Sequence, residues 1–175
     1  TRDDRLREHV QRHGRTLPEV SPLRLAEQER RVHRRRSRED GTDAEDLLTP
    51  GSGGVLCIAL DLAAGKMYWT DYAAGRIERA NLDGTNIDAL VTVGLTTPRG
   101  LALDVAGGKM YWTDAVAFKI QRANLDGTGV QDLVTTGSSA VRGIALDVAS
   151  GKMYWTNVGA HKIQRANLDG TGVED

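Results

Sequence analysis

The tetrapeptide Tyr-Trp-Thr-Asp recurs at a fixed interval in this chain. It occupies residues 68–71 and 111–114, and a near copy, Tyr-Trp-Thr-Asn, occupies residues 154–157. The interval is 43 residues both times (111 − 68 and 154 − 111). A period of this length is typical of repeat architectures, in which each repeat is one supersecondary unit. The sequence therefore predicts an array of similar units.

The repeats are closely similar beyond the tetrapeptide. Residues 99–132 and 142–175 align without a gap, and 27 of the 34 positions are identical. Residues 41–61 align two periods upstream of residues 127–147, with 12 of 21 positions identical. We place the three repeats near residues 56–98, 99–141 and 142–175.

Each of the first two repeats contains four short segments suited to β-strands. In the middle repeat, residues 99–104 form an apolar run, and residues 109–114 combine aromatic and β-branched side chains that fit a pleated sheet. Residues 119–124 and 130–135 are the third and fourth strands, and Asp126-Gly127 between them predicts a tight hairpin turn. No stretch has the length and period of a helix, which excludes βαβ units. Four consecutive strands predict one blade of an all-β propeller.

These motifs resemble the low-density lipoprotein receptor class B repeat, also called the YWTD repeat. Each tetrapeptide follows an Ala-Leu-Asp strand and precedes Arg-Ala-Asn-Leu-Asp-Gly-Thr, so the resemblance covers residues 41–175. It implies a six-bladed propeller, extracellular or periplasmic, that binds other proteins and is not an enzyme. The chain departs from the family in having three blades, in lacking cysteine-rich modules, and in carrying Asn157 where an aspartate is expected.

The outer strands leave two interpretations open. Residues 44–49 resemble a fourth strand without a blade of its own, and the third repeat reaches Asp175 as its fourth strand begins. Three blades cannot close a ring, because roughly four to eight are needed. One interpretation is a homodimer that closes a six-bladed ring, with residues 44–49 of each chain capping the partner's third blade. The other is that the sequence is a fragment and further blades lie outside it.

Residues 1–40 differ from the repeats in composition. Residues 1–43 hold 12 Lys and Arg against 9 Asp and Glu, whereas residues 44–175 hold 11 against 15. We expect residues 1–40 to be a charged, Arg-rich tail, helical or disordered. Its basic cluster at residues 30–38 is the one candidate for weak nucleic-acid contact, although it lacks interleaved aromatic side chains for base stacking. No apolar run approaches the ~18 residues of a membrane span.

Residue types that carry chemistry are scarce. His9 and His13 have the spacing of a helical metal pair, but no third ligand follows in reach. The repeats contain a single histidine, His161, and no paired carboxylates, which argues against acid–base catalysis. We predict no cofactor and no metal, and a protein that is not an enzyme, with a propeller hydrolase or lyase as the less favoured alternative. Cys57 is the one cysteine, and we expect a buried strand thiol.

Positions that differ among the otherwise similar repeats are free to serve a binding site. They collect in the loop between the second and third strands, which we expect to share one face with the connection from the fourth strand to the next first strand. Aromatic side chains and arginine, which are enriched at protein interfaces, come together there. The alternative is a purely structural repeat without a ligand. The predicted rim for a protein or peptide partner comprises Tyr72, Arg99, Phe118, Arg142 and His161.

Side chains that are the same in every repeat are assigned to the scaffold. The recurrent tryptophans bury a large apolar area, and the recurrent acids are predicted to pair with a recurrent arginine of the third strand that holds the blades together. The structural residues are Trp69, Asp71, Trp112, Asp114 and Trp155, and the arginines are Arg79, Arg122 and Arg165.

Overall fold

A computed structural model describes residues 46–49, 54–137 and 140–175 of the chain. Within these residues every regular element is a β-strand. The same residues contain no helix with the length and apolar character that crossing a membrane requires. The predicted Arg-rich tail, with His9, His13 and the basic cluster at 30–38, lies outside the described residues.

Eleven strands form three antiparallel sheets, which we call blades one, two and three. Blade one contains β1 (Val55–Asp61), β2 (Lys66–Asp71), β3 (Arg76–Asn81) and β4 (Asp88–Val91). Blade two contains β5 (Pro98–Asp104), β6 (Lys109–Asp114), β7 (Lys119–Asn124) and β8 (Gln131–Thr135). Blade three contains β9 (Val141–Asp147), β10 (Lys152–Asn157) and β11 (Lys162–Asn167). The all-β propeller fold predicted from the repeats is confirmed.

Consecutive strands pair in every blade, and the register repeats with the sequence. In blade one Tyr68 lies opposite Arg79, and in blade two Tyr111 lies opposite Arg122. The predicted turn after the third strand is present. The amide of Gly127 donates to the Asn124 carbonyl at 2.9 Å, and the amide of Asn124 donates to the Thr128 carbonyl at 2.9 Å, so Asp126 lies within a tight turn. The Asp126 carboxylate also accepts hydrogen bonds from Thr128, and β8 begins at Gln131, one residue later than predicted.

The blades stack side by side, with their first strands innermost. β1 contacts β5, and β5 contacts β9, whereas the fourth strands lie at the other edge of each sheet. This order matters for function because it brings the loops at one end of every blade to a common face.

The apolar core lies between blades, not within one. Each junction joins Tyr, Ile and Val side chains of one blade to Leu or Ile, Met, Trp and Ala side chains of the next. Trp112 is wholly buried in the first junction, and Trp155 is 1% exposed in the second. The first junction contains Tyr68, Ile77, Val91, Leu101, Met110, Trp112 and Ala123. The second contains Tyr111, Ile120, Val134, Val141, Met153, Trp155 and Ala166.

Residues 46–49 have no strand pairing, yet they occupy the position of a fourth strand before blade one. Leu48 packs against Met67, Trp69 and Ala80, as Val91 packs in the next junction. The Leu47 carbonyl lies where a side chain on Gly84 would be. The predicted outer strand at 44–49 is thus described over its last four residues, without the ladder that a neighbouring third strand would provide.

Candidate functional site

The loops that vary among repeats lie on one face, which we call the variable-loop face. It combines the loops after β2, β6 and β10 with the described residues that directly precede β1, β5 and β9. Backbone bonds join the two sets. The amide of Tyr72 donates to the Gly54 carbonyl at 2.9 Å, and the amide of Ala115 donates to the Thr97 carbonyl at 3.0 Å. In blade three, Val158 donates to Ala140 at 2.9 Å.

Asp114 organises this face by accepting backbone N–H groups. Its carboxylate accepts from Thr96 at 2.5 Å, from Thr97 at 3.1 Å and from Ala117 at 2.9 Å. Asp71 accepts from Ala74 at 2.9 Å in the same way, and both carboxylates are fully buried. The predicted pairing of these acids with Arg79 and Arg122 is therefore wrong. An aspartate at the end of its strand is within reach of the loop amides, and the third-strand arginine near Asp71 is Arg76, whose Nη2 lies 3.9 Å from Oδ2.

Arg79 and Arg122 instead bond the fourth strand of their own blade. Arg79 Nη2 lies 2.9 Å from Asp88 Oδ2, and this hydrogen bond raises the pKa of Arg79 above its ordinary value. Arg122 donates to Gln131 at 2.7 Å. Both arginines also reach the next blade. Arg79 donates to the Leu125 carbonyl at 3.4 Å, and Arg122 Nη1 makes the equivalent bond in the second junction.

Asn157 takes the place of the recurrent aspartate in blade three. Its side-chain oxygen accepts from the Ala160 amide at 3.1 Å, so the loop bond is kept. Its amide nitrogen donates to Gln164 Oε1 at 2.9 Å, a bond that a carboxylate could not make. The replacement therefore adds a bond within the blade.

Two of the predicted rim residues come together across the first junction. The guanidinium carbon of Arg99, on blade two, lies 6.0 Å from the ring centroid of Tyr72, on blade one. Arg99 Nε is buried and makes no hydrogen bond, and Tyr72 is 41% exposed. An arginine stacked on an aromatic ring is an arrangement that a carboxylate can complete.

The other three rim residues lie on blades two and three of the same face. Phe118 and His161 both have φ of +56°, at the position where blade one has Gly75 with φ of +63°. A side chain in this left-handed region is strained, by about 1–2 kcal/mol relative to a right-handed conformation. Arg142 is exposed. No hydrogen bond or ion pair joins the side chains of these three to the Tyr72–Arg99 pair in the described residues.

Some positively charged side chains near the variable-loop face form ion pairs and others do not. Lys119 pairs with Asp132 at 2.5 Å, and this bond lowers the pKa of Asp132. Lys162 pairs with Asp175 in the same way. In contrast, Arg99 and Arg142 have no ion pair among the residues described. The face therefore presents two positive charges without counter-ions beside an exposed aromatic ring.

Acid–base or metal chemistry has little support at this face. His161 is the one histidine among the described residues. Residues 46–49, 54–137 and 140–175 contain no group of three or more His, Cys, Asp and Glu side chains that could hold a metal ion. Cys57 is half-buried rather than fully buried, and its Sγ accepts a hydrogen bond from the Leu101 amide at 3.3 Å across the first junction.

Comparison with known proteins agrees with this architecture. Residues 65–105 match the model of the low-density lipoprotein receptor repeat class B. This stretch runs from the turn before β2 to the end of β5, and its tetrapeptide recurs in register in blades two and three. Residues 65–105 form a YWTD repeat. The resemblance identified from the sequence is confirmed, and we call blades one to three the YWTD blades.

Solved structures similar to the YWTD blades include both binding proteins and enzymes. A chain in the crystal structure of a nidogen/laminin complex has 33% identity and a TM-score of 0.72, covering 76% of this chain and 51% of its own. Virginiamycin B lyase from Staphylococcus aureus has 26% identity and a TM-score of 0.60, covering 75% and 43%. The YWTD chain thus spans about half the length of these neighbours. A comparison with curated proteins found no match.

Sequence reasoning missed the threonine of the YWTD motif as a functional contact. Thr70 Oγ1 donates to the Arg99 carbonyl at 2.7 Å, and Thr113 donates to the Arg142 carbonyl. The threonine therefore fixes the backbone on which each rim arginine stands. The invariance of the motif pointed to a scaffold role but not to the partner, which lies 29 residues downstream.

Proposed function

We propose that this protein is a non-catalytic scaffold that binds a protein or peptide through its variable-loop face. The pairing of Tyr72 with Arg99 carries the proposal. An exposed tyrosine beside an arginine combines two side-chain types that often anchor protein interfaces. The pair stands at the edge of a junction, where a ligand could contact two blades at once.

The ligand is expected to carry acidic groups. Arg99 and Arg142 have no ion pair within the described part of the chain, whereas the neighbouring lysines Lys119 and Lys162 are already paired with aspartates. A guanidinium binds a carboxylate with two parallel hydrogen bonds, which adds specificity as well as energy. Arg99 and Arg142 occupy equivalent positions one period apart, so a repetitive or symmetric partner could use both.

Backbone strain on the same face supports a binding role. Phe118 and His161 keep bulky side chains at a position where glycine would remove the strain. Strained residues cluster at binding and catalytic sites because function, not stability, keeps them. The nidogen/laminin structure also supports the proposal, since it is a complex between proteins and is similar to this array.

The test uses two labelled peptides of equal length, measured by fluorescence anisotropy against the full chain. One is rich in Asp and Glu around a single Trp, and the other has Lys in place of every acid. We expect the acidic peptide to bind and Arg99→Gln to weaken it by about tenfold, the effect of losing one charge-assisted contact. Lys109→Gln is the matched control, because Lys109 lies at the opposite end of its strand and bonds Asn124. Equal affinity for both peptides would contradict the proposal.

A lyase activity is the second candidate. The similarity to virginiamycin B lyase, which has also been crystallised with quinupristin as a catalytically inactive variant, favours testing it. His161 is the one described side chain on the face suited to proton transfer at neutral pH. We expect no conversion of quinupristin by mass spectrometry. Conversion that disappears in His161→Ala would replace the scaffold function with catalysis.

A further inference from the structure

The turn after the third strand has the same sequence and the same backbone bonds in every blade. Asn-Leu-Asp-Gly-Thr occupies residues 81–85, 124–128 and 167–171. In blade two the Gly127 amide donates to the Asn124 carbonyl, and the Asn124 amide donates to the Thr128 carbonyl, both at 2.9 Å. The equivalent bonds in blades one and three measure 2.8–2.9 Å. The glycine has φ of +86°, which it adopts without strain.

A chain of side-chain hydrogen bonds runs through the same turn. In blade one, Lys66 Nζ donates to Asn81 Oδ1 at 2.6 Å, and Asn81 Nδ2 donates to Thr85 Oγ1 at 2.8 Å. Thr85 Oγ1 then donates to Asp83 Oδ1 at 2.6 Å, and the Thr85 amide donates to the same oxygen at 3.0 Å. Blades two and three repeat every one of these bonds. The ammonium at one end and the carboxylate at the other strengthen the bonds between them.

The Asp-Gly pair at the centre of this turn is open to a rearrangement of the main chain. The glycine nitrogen attacks the carboxyl carbon of the aspartic acid, an N–Cγ bond forms, and the carboxyl hydroxyl leaves with the amide proton as water. A second water opens the resulting five-membered ring at either carbonyl. The products are aspartate and isoaspartate, in which the main chain runs through the side-chain methylene. Glycine has no Cβ to hinder the attack, and Asp83 and Asp126 are exposed, so burial does not protect them.

The hydrogen bonds of the turn oppose this reaction at both reacting groups. The Gly127 N–H is bonded to the Asn124 carbonyl, so the nitrogen must leave that bond before it attacks. Asp126 Oδ1 accepts from the Thr128 hydroxyl at 2.6 Å and from the Thr128 amide at 2.9 Å, so rotation of the carboxyl group breaks both bonds. The hydroxyl bond first, and then the amide bond, lowers the pKa of Asp126. A lower pKa reduces the protonated form, which is the one that can lose its hydroxyl as water.

We propose that Asp83, Asp126 and Asp169 are sites of isoaspartate formation that the turn suppresses, with the threonine two residues later as the protecting residue. The rearrangement would alter the packing of blades, because these turns contact the preceding outer strand. A Cβ on Gly127 would lie 2.3 Å from the Leu90 carbonyl, so the turn has no space to expand. Isoaspartate adds one carbon to the main chain directly before this glycine. The threonine therefore protects the first junction as well as the aspartate.

Ageing of the full chain at mildly acidic pH tests the proposal, because two blades can be followed separately. Isoaspartate is measured by liquid chromatography and mass spectrometry of the tryptic peptides 80–99 and 123–142. Thr128→Val removes the hydroxyl and keeps the backbone amide. We expect isoaspartate at Asp126 to form about tenfold faster, the factor for losing one hydrogen bond to a charged group. Asp83 keeps Thr85 in the same molecule, so its rate is the internal control and should not change.

Reciprocal and rescue variants separate protection of this bond from a general loss of structure. Thr85→Val should accelerate the reaction at Asp83 alone, and Thr128→Ser, which keeps a hydroxyl, should age as slowly as the wild type. The synthetic peptide 123–142 gives the unprotected rate and should react faster at Asp126 than the folded chain. A wild-type chain as fast as the peptide, or an unchanged rate in Thr128→Val, would overturn the proposal. Equal acceleration at Asp83 and Asp126 in Thr128→Val would also overturn it, because the hydroxyl would then maintain the fold and not protect one bond.

Discussion

Trp69 donates a hydrogen bond from its indole Nε1 to Glu78 Oε2 at 2.9 Å, across β2 and β3. The Glu78 charge is met by Arg76, whose Nη2 lies 3.1 Å from Oε1. In blade two the indole of Trp112 bonds the neutral side chain of Gln121 instead. A carboxylate thus replaces an amide beneath one tryptophan while the acceptor of the indole N–H is preserved.

Blades one and two each have one carboxylate in this set of bonds, but it comes from different strands. In blade two Asp132, on the fourth strand, bonds Gln121 at 2.7 Å and also pairs with Lys119. Blade one has Ala89 at the position of Asp132 and carries its acid on the third strand as Glu78. Each blade therefore holds one carboxylate, one cation and one indole N–H in a closed set of bonds.

The first prediction concerns this acceptor. Glu78→Leu should lower the free energy of unfolding by about 1–3 kcal/mol, because the buried Trp69 N–H loses its partner. Glu78→Gln should cost less, since the amide oxygen still accepts, as it does in blade two. Urea denaturation followed by tryptophan fluorescence measures both. Equal losses for the two variants would mean that the acceptor is unimportant and that the Arg76 pair dominates.

A second prediction compares Thr113, which is buried in a junction between blades, with Thr156, which is exposed. Thr113→Val should destabilise the fold by about 1–3 kcal/mol, because the hydroxyl accepts from the Gly100 amide and donates to the Arg142 carbonyl in a buried junction. Thr156→Val should cost less, since Thr156 is exposed. Equal costs would show that the bond across the junction contributes nothing.

A third prediction concerns pH. The hydrogen bond from Lys119 lowers the pKa of Asp132 from its ordinary value of 3.8. The carboxylate form is thus favoured in the folded state, so this stabilisation is present above about pH 3.8 and is lost as the pH falls through the lowered folded pKa. The side chain of Asp132 is 48% exposed, so the effect should stay within about 1 kcal/mol. Stability measured between pH 3 and 6 should fall less in Asp132→Asn than in the wild type.

The fourth prediction separates strain from binding on the variable-loop face. Phe118→Gly should leave stability unchanged or raise it by up to about 1 kcal/mol, since glycine tolerates positive φ. Phe118→Ala should destabilise the fold, because alanine keeps the strain and loses the contacts of the ring. Both should weaken binding of the acidic peptide. A Phe118→Gly variant that binds normally would remove Phe118 from the site.

The sequence predicted the blades well because their determinants are local and periodic. The Tyr-Trp-Thr-Asp strands and the Ala-Leu-Asp strands alternate in a way that few folds accommodate. The hydrogen-bond partners of polar side chains were harder to predict. The carboxylates of Asp71 and Asp114 could accept from loop amides or from arginines, and the strand register determines which of these lie within reach. The exchange of Glu78 for Asp132 also depends on register, because the two positions lie on different strands.

The candidate site was predictable in part for the same reason. Tyr72 and Arg99 vary among repeats, and both lie beside loops that a propeller brings together. The strain at Phe118 could have been found by aligning it with Gly75, because a glycine in one repeat marks a backbone conformation that the others share. The burial of Arg99 Nε required coordinates, since it depends on the spacing of two blades.

The apolar core lies between blades, so a single repeat cannot form a core alone. Because every junction is built from equivalent residues, one repeat can take the place of another. Each unit brings the donor half of one junction and the acceptor half of another. In blade two, the Arg99 carbonyl accepts from Thr70 of blade one, and Thr113 donates to the Arg142 carbonyl of blade three. A tandem duplication of 43 residues therefore inserts a finished junction without disturbing its neighbours. Such a protein can evolve by changing its number of repeats first and the chemistry of its loops afterwards.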